Sequence, residues 1–158
     1  MNGIMMMMKT KATYNQNIFV DIHGPITQKG RIKTYTQNII RSFAPRMRRV
    51  VLIDISIRKR LEHGYYGFCC GDRREVYIEL AKGSYDEDFT HDYMMLNLAH
   101  ELVHAKQYLL GQLSTYHHRW KTKDYSDTPY SAVPWEREAY KKEDILFETF
   151  WIGVDKRA

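Results

Sequence analysis

The sequence predicts an α+β fold, with helices packed on a small mixed sheet round one core. Three observations carry this. Residues 86–111 repeat their apolar side chains at helical steps. Residues 49–57 are β-branched and apolar, and residues 75–80 alternate with period two. Pro134 then opens a second amphipathic run that reaches Trp151. A chain of 158 residues, 44% hydrophobic and 27% charged, suits a single domain over residues 1–158.

Residues 1–13 carry little pattern and are expected to be disordered. The four methionines at 5–8 are far too short for the apolar core of a signal peptide. Residues 17–22 read as a short strand ended by Gly24-Pro25. Residues 27–43 read as a helix with Ile32, Tyr35, Ile39, Ile40 and Phe43 in one stripe; Gly30 weakens its first turn and Pro45 stops it. Residues 49–57 form the clearest strand. Residues 65–68 extend the sheet with a kink or bulge at Gly67. Residues 75–80 alternate until Lys82-Gly83. Lying just before the long helix, this strand is expected to be the sheet edge beside a cleft, where an extended peptide could add by backbone bonding.

The long helix is expected over residues 86–111. Asp86, Glu87 and Asp88 crowd its start, where carboxylates suit the positive end of the dipole. Phe89, Tyr93, Leu96, Ala99, Val103 and Leu110 would make the buried face, with Gly111 as a left-handed cap. Inside it stands His100-Glu101-Leu102-Val103-His104, an H-E-x-x-H. Residues four apart share a helix face, so His100 and His104 can aim two imidazoles at one ion about 2 Å from each nitrogen. Glu101 lies about 100° round the helix. It is placed to take a proton from water beside that ion rather than to ligate it.

Two histidines do not complete a catalytic zinc site, which uses three protein ligands and one open position. The extension H-E-x-x-H-x-x-G-x-x-H is excluded, because Gln107 and Leu110 stand where Gly and His would be needed. The remaining helical donors open the closing helix, Pro134-Trp135-Glu136-Arg137-Glu138-Ala139-Tyr140. Glu136 and Glu138 project about 200° apart, so only one can face the ion.

With HELVH followed by PWEREA, the chain resembles gluzincin-type zinc metallopeptidases, and most nearly the small phage-borne members. The likeness covers about residues 49–145. It implies a zincin-like fold in minimal gluzincin form, and zinc-dependent hydrolysis of a peptide or protein substrate. Position by position, it implies His100, His104 and Glu136 as zinc ligands and Glu101 as general base. Tyr140 departs from the pattern, since larger relatives carry Asp there as a partner to a ligand, so that partner is not assigned. The SprT-like proteases offer a second resemblance. They take a third His from a downstream loop, which His117 or His118 would supply, and they act on proteins bound to DNA. A metal-binding module without catalysis is the third possibility. The donor to a developing oxyanion is open among Tyr130, Tyr140, His117 and His118.

Composition narrows the partners. The net charge of +5 permits attraction to nucleic acid, but the clusters Arg46-Arg48-Arg49 and Arg58-Lys59-Arg60 are the kind that ordinarily solvate a surface. No run of about 18 apolar residues exists, so no membrane span is expected. Cys69 and Cys70 are vicinal, a poor geometry for bridging each other, and the sequence supplies no further ligands for a second metal there. A reducing, cytoplasmic setting is expected. Oligomeric state is not read from the sequence.

Overall fold

The computed structural model describes residues 15–114 and 118–155 and has a mixed α+β architecture. The expectation for residues 1–13 lies outside the described residues. In chain order come β1 (Ile18–His23), α1 (Lys29–Phe43), β2 (Val51–Arg58), β3 (Gly67–Gly71), β4 (Glu75–Ala81), the short pair β5 (Gly83–Ser84) and β6 (Glu87–Asp88), and α2 (His91–Leu109). Three two-residue strands follow, β7 (Leu113–Ser114), β8 (Arg119–Trp120) and β9 (Lys123–Asp124), and then α3 (Pro134–Phe147). A π-helical turn over Glu148–Ile152 continues α3.

The main sheet has the order β1-β2-β4-β3. β1, β2 and β4 are parallel, with Val20 beside Ile53 and Ile55 beside Ile78; β3 runs antiparallel to β4. Strand periodicity puts Val51, Ile53, Ile55 and Ile57 of β2 on one face, all buried, where they meet Val76, Ile78 and Leu80 of β4. Each such side chain contributes roughly 1.5–3 kcal/mol by leaving water. Helices α1 and α2 cover this face, and the buried Tyr35 hydroxyl donates to the Met95 carbonyl at 2.9 Å, tying one helix to the other.

The expected edge strand is corrected. β4 is interior, and β3 is the edge. The turn over Asp72, Arg73 and Arg74 folds β3 back onto the outside of β4; the Asp72 carboxylate accepts from the Arg74 and Glu75 amides at 2.8 and 2.9 Å.

The start of α2 is also corrected. Glu87 and Asp88 pair with Gly83 and Ser84 across a tight turn, and Thr90 is the cap, its hydroxyl accepting from the Tyr93 amide at 3.1 Å. The expected stripe shifts as well. Tyr93 is exposed and Leu96 half-buried, while Met94, Met95, Leu98, Ala99 and Leu102 are buried. Every residue from Glu101 to Leu109 is buried, so the second half of α2 has no solvent face from which to read a moment. Gly111 (φ +70°) ends the helix in the left-handed region. The Gly111 amide donates to Tyr108 and the Gln112 amide to Gln107, the two bonds of a Schellman motif.

Trp151, on the π-helical turn, returns the chain to the start of α2. Its indole nitrogen donates to Asp92 at 2.9 Å, and Arg31 of α1 stacks on its ring at 3.6 Å. No helix among the described residues is long and apolar enough to cross a membrane.

Candidate metal centre

Helix α2 carries His100, Glu101 and His104 in its middle, and α3 lies against it with Glu136 in its first turn. Pro134 starts α3 where a missing amide hydrogen costs nothing. The Glu136 carboxylate reaches back to α2, 3.2 Å from His100 Nε2 and 3.0 Å from His104 Nε2. The two Nε2 atoms are 3.2 Å apart. Among the described residues, His100, His104 and Glu136 form one group that could hold a metal ion, with one ligand atom from each within 4.8 Å of the others.

The contacts behind the histidines decide the chemistry of that group. His100 Nδ1 faces Glu143 Oε2 at 2.7 Å, and a carboxylate can only accept, so Nδ1 carries the hydrogen. His104 Nδ1 faces Gln107 Oε1 at 2.9 Å. The Gln107 amide nitrogen donates to the Trp135 carbonyl and to Glu138, both at 3.0 Å, which turns its oxygen toward His104. Both neutral imidazoles therefore turn a bare Nε2 inward, toward two carboxylate oxygens. Four lone-pair-bearing atoms converge with no hydrogen among them. A cation at their centre relieves that repulsion, and two imidazoles with one carboxylate are a donor set that zinc accepts.

Without such a cation the group draws protons. Burial works against a charge on His100, but Glu136, Glu143 and Glu101 outweigh it and raise its pKa to about 10. His104 shifts up against the same penalty, through Glu136 and Glu101. Glu136 is driven the other way: burial would raise it, and the two imidazoles hold it down at about 2. The directions agree that this is a place for positive charge.

Glu101 stands beside the group without joining it. It is 7% exposed, and burial pushes its pKa up more than the neighbouring histidines pull it down. Its carboxylate lies against Gly67 of β3, where an added Cβ would come within 2.7 Å of Oε1. The glycine in the edge strand is thus what lets this carboxylate fit under the sheet.

Two cavities open on either side of Glu101, and Tyr65, Gly67 and Tyr130 border both. One, of about 340 Å³, runs past His104 and is walled by Phe68, Cys69, Tyr108, Leu113 and Trp135. The other, of about 370 Å³, runs past His100 and is walled by Tyr66, Tyr93, Asn97, Tyr140 and Glu143. Both thiols are free, and burial, followed by Glu101 and Cys70, pushes the Cys69 thiol up.

The other residues singled out in the sequence fall differently. Glu138 is turned away from the group and bonds Lys106 at 2.7 Å and Lys142 at 3.1 Å. His118 is exposed, with a left-handed backbone, outside the group; His117 lies outside the described residues. Tyr130 borders both cavities; desolvation first, then the Glu136 carboxylate its hydroxyl faces, raise its phenol. Tyr140 meets His100 edge-on, ring centroids 4.7 Å apart, and is otherwise exposed. Sequence reasoning missed Gln107 and Glu143. Glu143 follows Glu136 by seven residues, two turns along the same face, and Gln107 follows His104 by three, so the spacing rule that found the candidate ligands also reaches their partners.

No protein-family model, curated protein or solved structure matches the chain.

Proposed function

We propose that this protein is a zinc-dependent metallopeptidase of zincin-like fold, acting on extended peptide or unfolded protein in a cytoplasmic, reducing setting. The observation that carries the reading is Glu101: a buried carboxylate facing the cleft, next to a three-ligand group and not part of it. The resemblance of HELVH and PWEREA to gluzincin motifs supports the same reading.

His100, His104 and Glu136 would hold the zinc, which would supply Lewis acidity toward a water and a peptide carbonyl. Glu101, buried beside the ligand group and outside it, takes a proton from the attacking water and passes it to the leaving amine. Tyr130, which borders both cavities beside Glu101 and Glu136, donates to the carbonyl oxygen as charge develops there. Glu143 and Gln107 hold the two imidazoles in the tautomer that presents Nε2. β3 offers an edge along which an extended substrate adds by backbone bonds.

The test has two readings. Elemental analysis of protein prepared without added metal is expected to find one zinc per chain. Glu101→Gln is expected to keep that zinc and to lower the rate of hydrolysis of an unfolded protein about 10²- to 10⁴-fold. Loss of zinc in the variant would make Glu101 a ligand and end this mechanism. Zinc without hydrolysis in the unmutated chain would leave a metal-held module.

A further inference from the structure

Each cavity flanking Glu101 holds one further carboxylate, Glu136 on the His104 side and Glu143 on the His100 side, and only Glu136 belongs to the ligand group. His104 is backed by Gln107, a neutral and wholly buried amide, and the rest of its cavity is walled mostly by apolar and aromatic side chains. His100 is backed by Glu143, whose side chain is 20% exposed and lines the His100 cavity. With both imidazoles neutral, a divalent cation in the centre is ligated by Glu136, while Glu143 lies behind His100, accepts from its Nδ1 and faces the open cavity.

The walls suit a cation. No Lys or Arg lines this cavity, while Tyr65, Tyr66, Tyr93 and Tyr140 do. Tyr66, Phe89 and Tyr93 brace one another edge-to-face, with centroids 4.8–6.0 Å apart, so this wall is rigid. Tyrosine faces attract a cation electrostatically and bury the apolar stem that carries it. Asn97 adds a buried amide nitrogen with no partner, a donor open to a peptide carbonyl and not to the cation itself.

We propose that the His100 side of the cleft is a subsite for a basic side chain of the substrate, lysine or arginine, its charge paired with Glu143 and its stem laid among the tyrosines. The proposal rests on the peptidase reading above for the identity of the ligand as peptide.

Binding to the zinc-loaded Glu101→Gln protein tests it without requiring turnover. The probes are capped alanine-glycine hexapeptides carrying one lysine, arginine, norleucine or glutamate, moved one position at a time. At the best position, lysine and arginine are expected to bind about tenfold more tightly than norleucine, with the margin shrinking as salt rises. Adding Asn97→Asp, which puts a second carboxylate in the cavity, should widen that margin. Adding Glu143→Gln should narrow it to below about threefold. Norleucine or glutamate binding as tightly as lysine overturns the proposal, as does a margin that neither variant moves. A lysine preference together with no hydrolysis by the unmutated protein removes the peptidase reading and keeps the subsite. Hydrolysis of an unfolded protein with no basic preference removes the subsite alone.

Discussion

Helices α2 and α3 both bring ligand-type side chains to the same point, by different means. α2 is buried on nearly every side through its second half, and Leu98, Ala99, Leu102 and Val103 fix it in the core. α3 buries only Glu136, Ala139 and Leu146. Along its length it is held to α2 by polar bonds as well: Gln107 to the Trp135 carbonyl, Lys106 to Glu138, and His100 to Glu143. Two of these three involve a ligand or the residue that orients one. Docking of α3 and preparation of the imidazoles are therefore one network, and a change in it should be felt in metal affinity before it is felt in stability.

The largest expected effect breaks the core side of the comparison. Leu98→Ala should cost about 2–5 kcal/mol in denaturant unfolding, while Ile145→Ala, on the exposed face of α3, should stay within about 0.5 kcal/mol. Equal losses would mean that α3 is held as α2 is.

Glu136→Gln should lower zinc affinity at least about 100-fold by chelator competition, more than the loss of an outer partner does. The metal-free protein at pH 8, where His100 is still protonated, should melt somewhat lower than the parent, because that charge loses one of its two carboxylate partners and keeps Glu143. A drop like that of Leu98→Ala would make Glu136 a structural residue.

Gln107→Ala should cost about 10- to 100-fold in zinc affinity. Glu143→Gln should cost less than about tenfold, since the amide oxygen still accepts from His100 Nδ1. The reverse order would place the main support of the site on the α3 side.

The smallest effect is a pH dependence. In the metal-free protein the His100 pKa is raised from 6.5 to about 10. Its contribution to stability is therefore complete below about pH 6.5 and is lost as pH rises toward 10. Zinc displaces that proton, so the loaded protein should not share the decline, and binding near pH 7 should release one to two protons. Calorimetry in two buffers of different ionisation enthalpy measures the release; none at all would mean that the imidazoles are neutral beforehand.

Much of this protein lies within reach of local rules. The β-branched run in β2, the stripe of α1, the Schellman glycine and Pro134 each follow from backbone sterics and side-chain period, which act over a few residues. The meeting of His100 and His104 is local too, since one helical turn joins them. Local rules failed where a neighbour in space overrode them. α2 was read with a single buried face because its enclosure by the sheet, α1 and α3 cannot be seen in its own sequence. Asp86, Glu87 and Asp88 looked like a helix start because a two-residue hairpin leaves almost no periodic signal.

Only tertiary structure decided which carboxylate of the closing helix faces the histidines. Glu136 and Glu138 are alike in type and stand two residues apart; the packing angle of α3 on α2 sends one to the ligand group and the other to Lys106 and Gln107. It also decided that β3, and not β4, is the edge, because strand order is a matter of pairing between segments rather than of either segment's pattern. By itself the sequence determined the chemistry-bearing residue types and their helical spacing, since those are covalent and local. The convergence of four lone-pair-bearing atoms, and the placing of Glu143 in one of the two cavities beside them, depend on which helix leans on which.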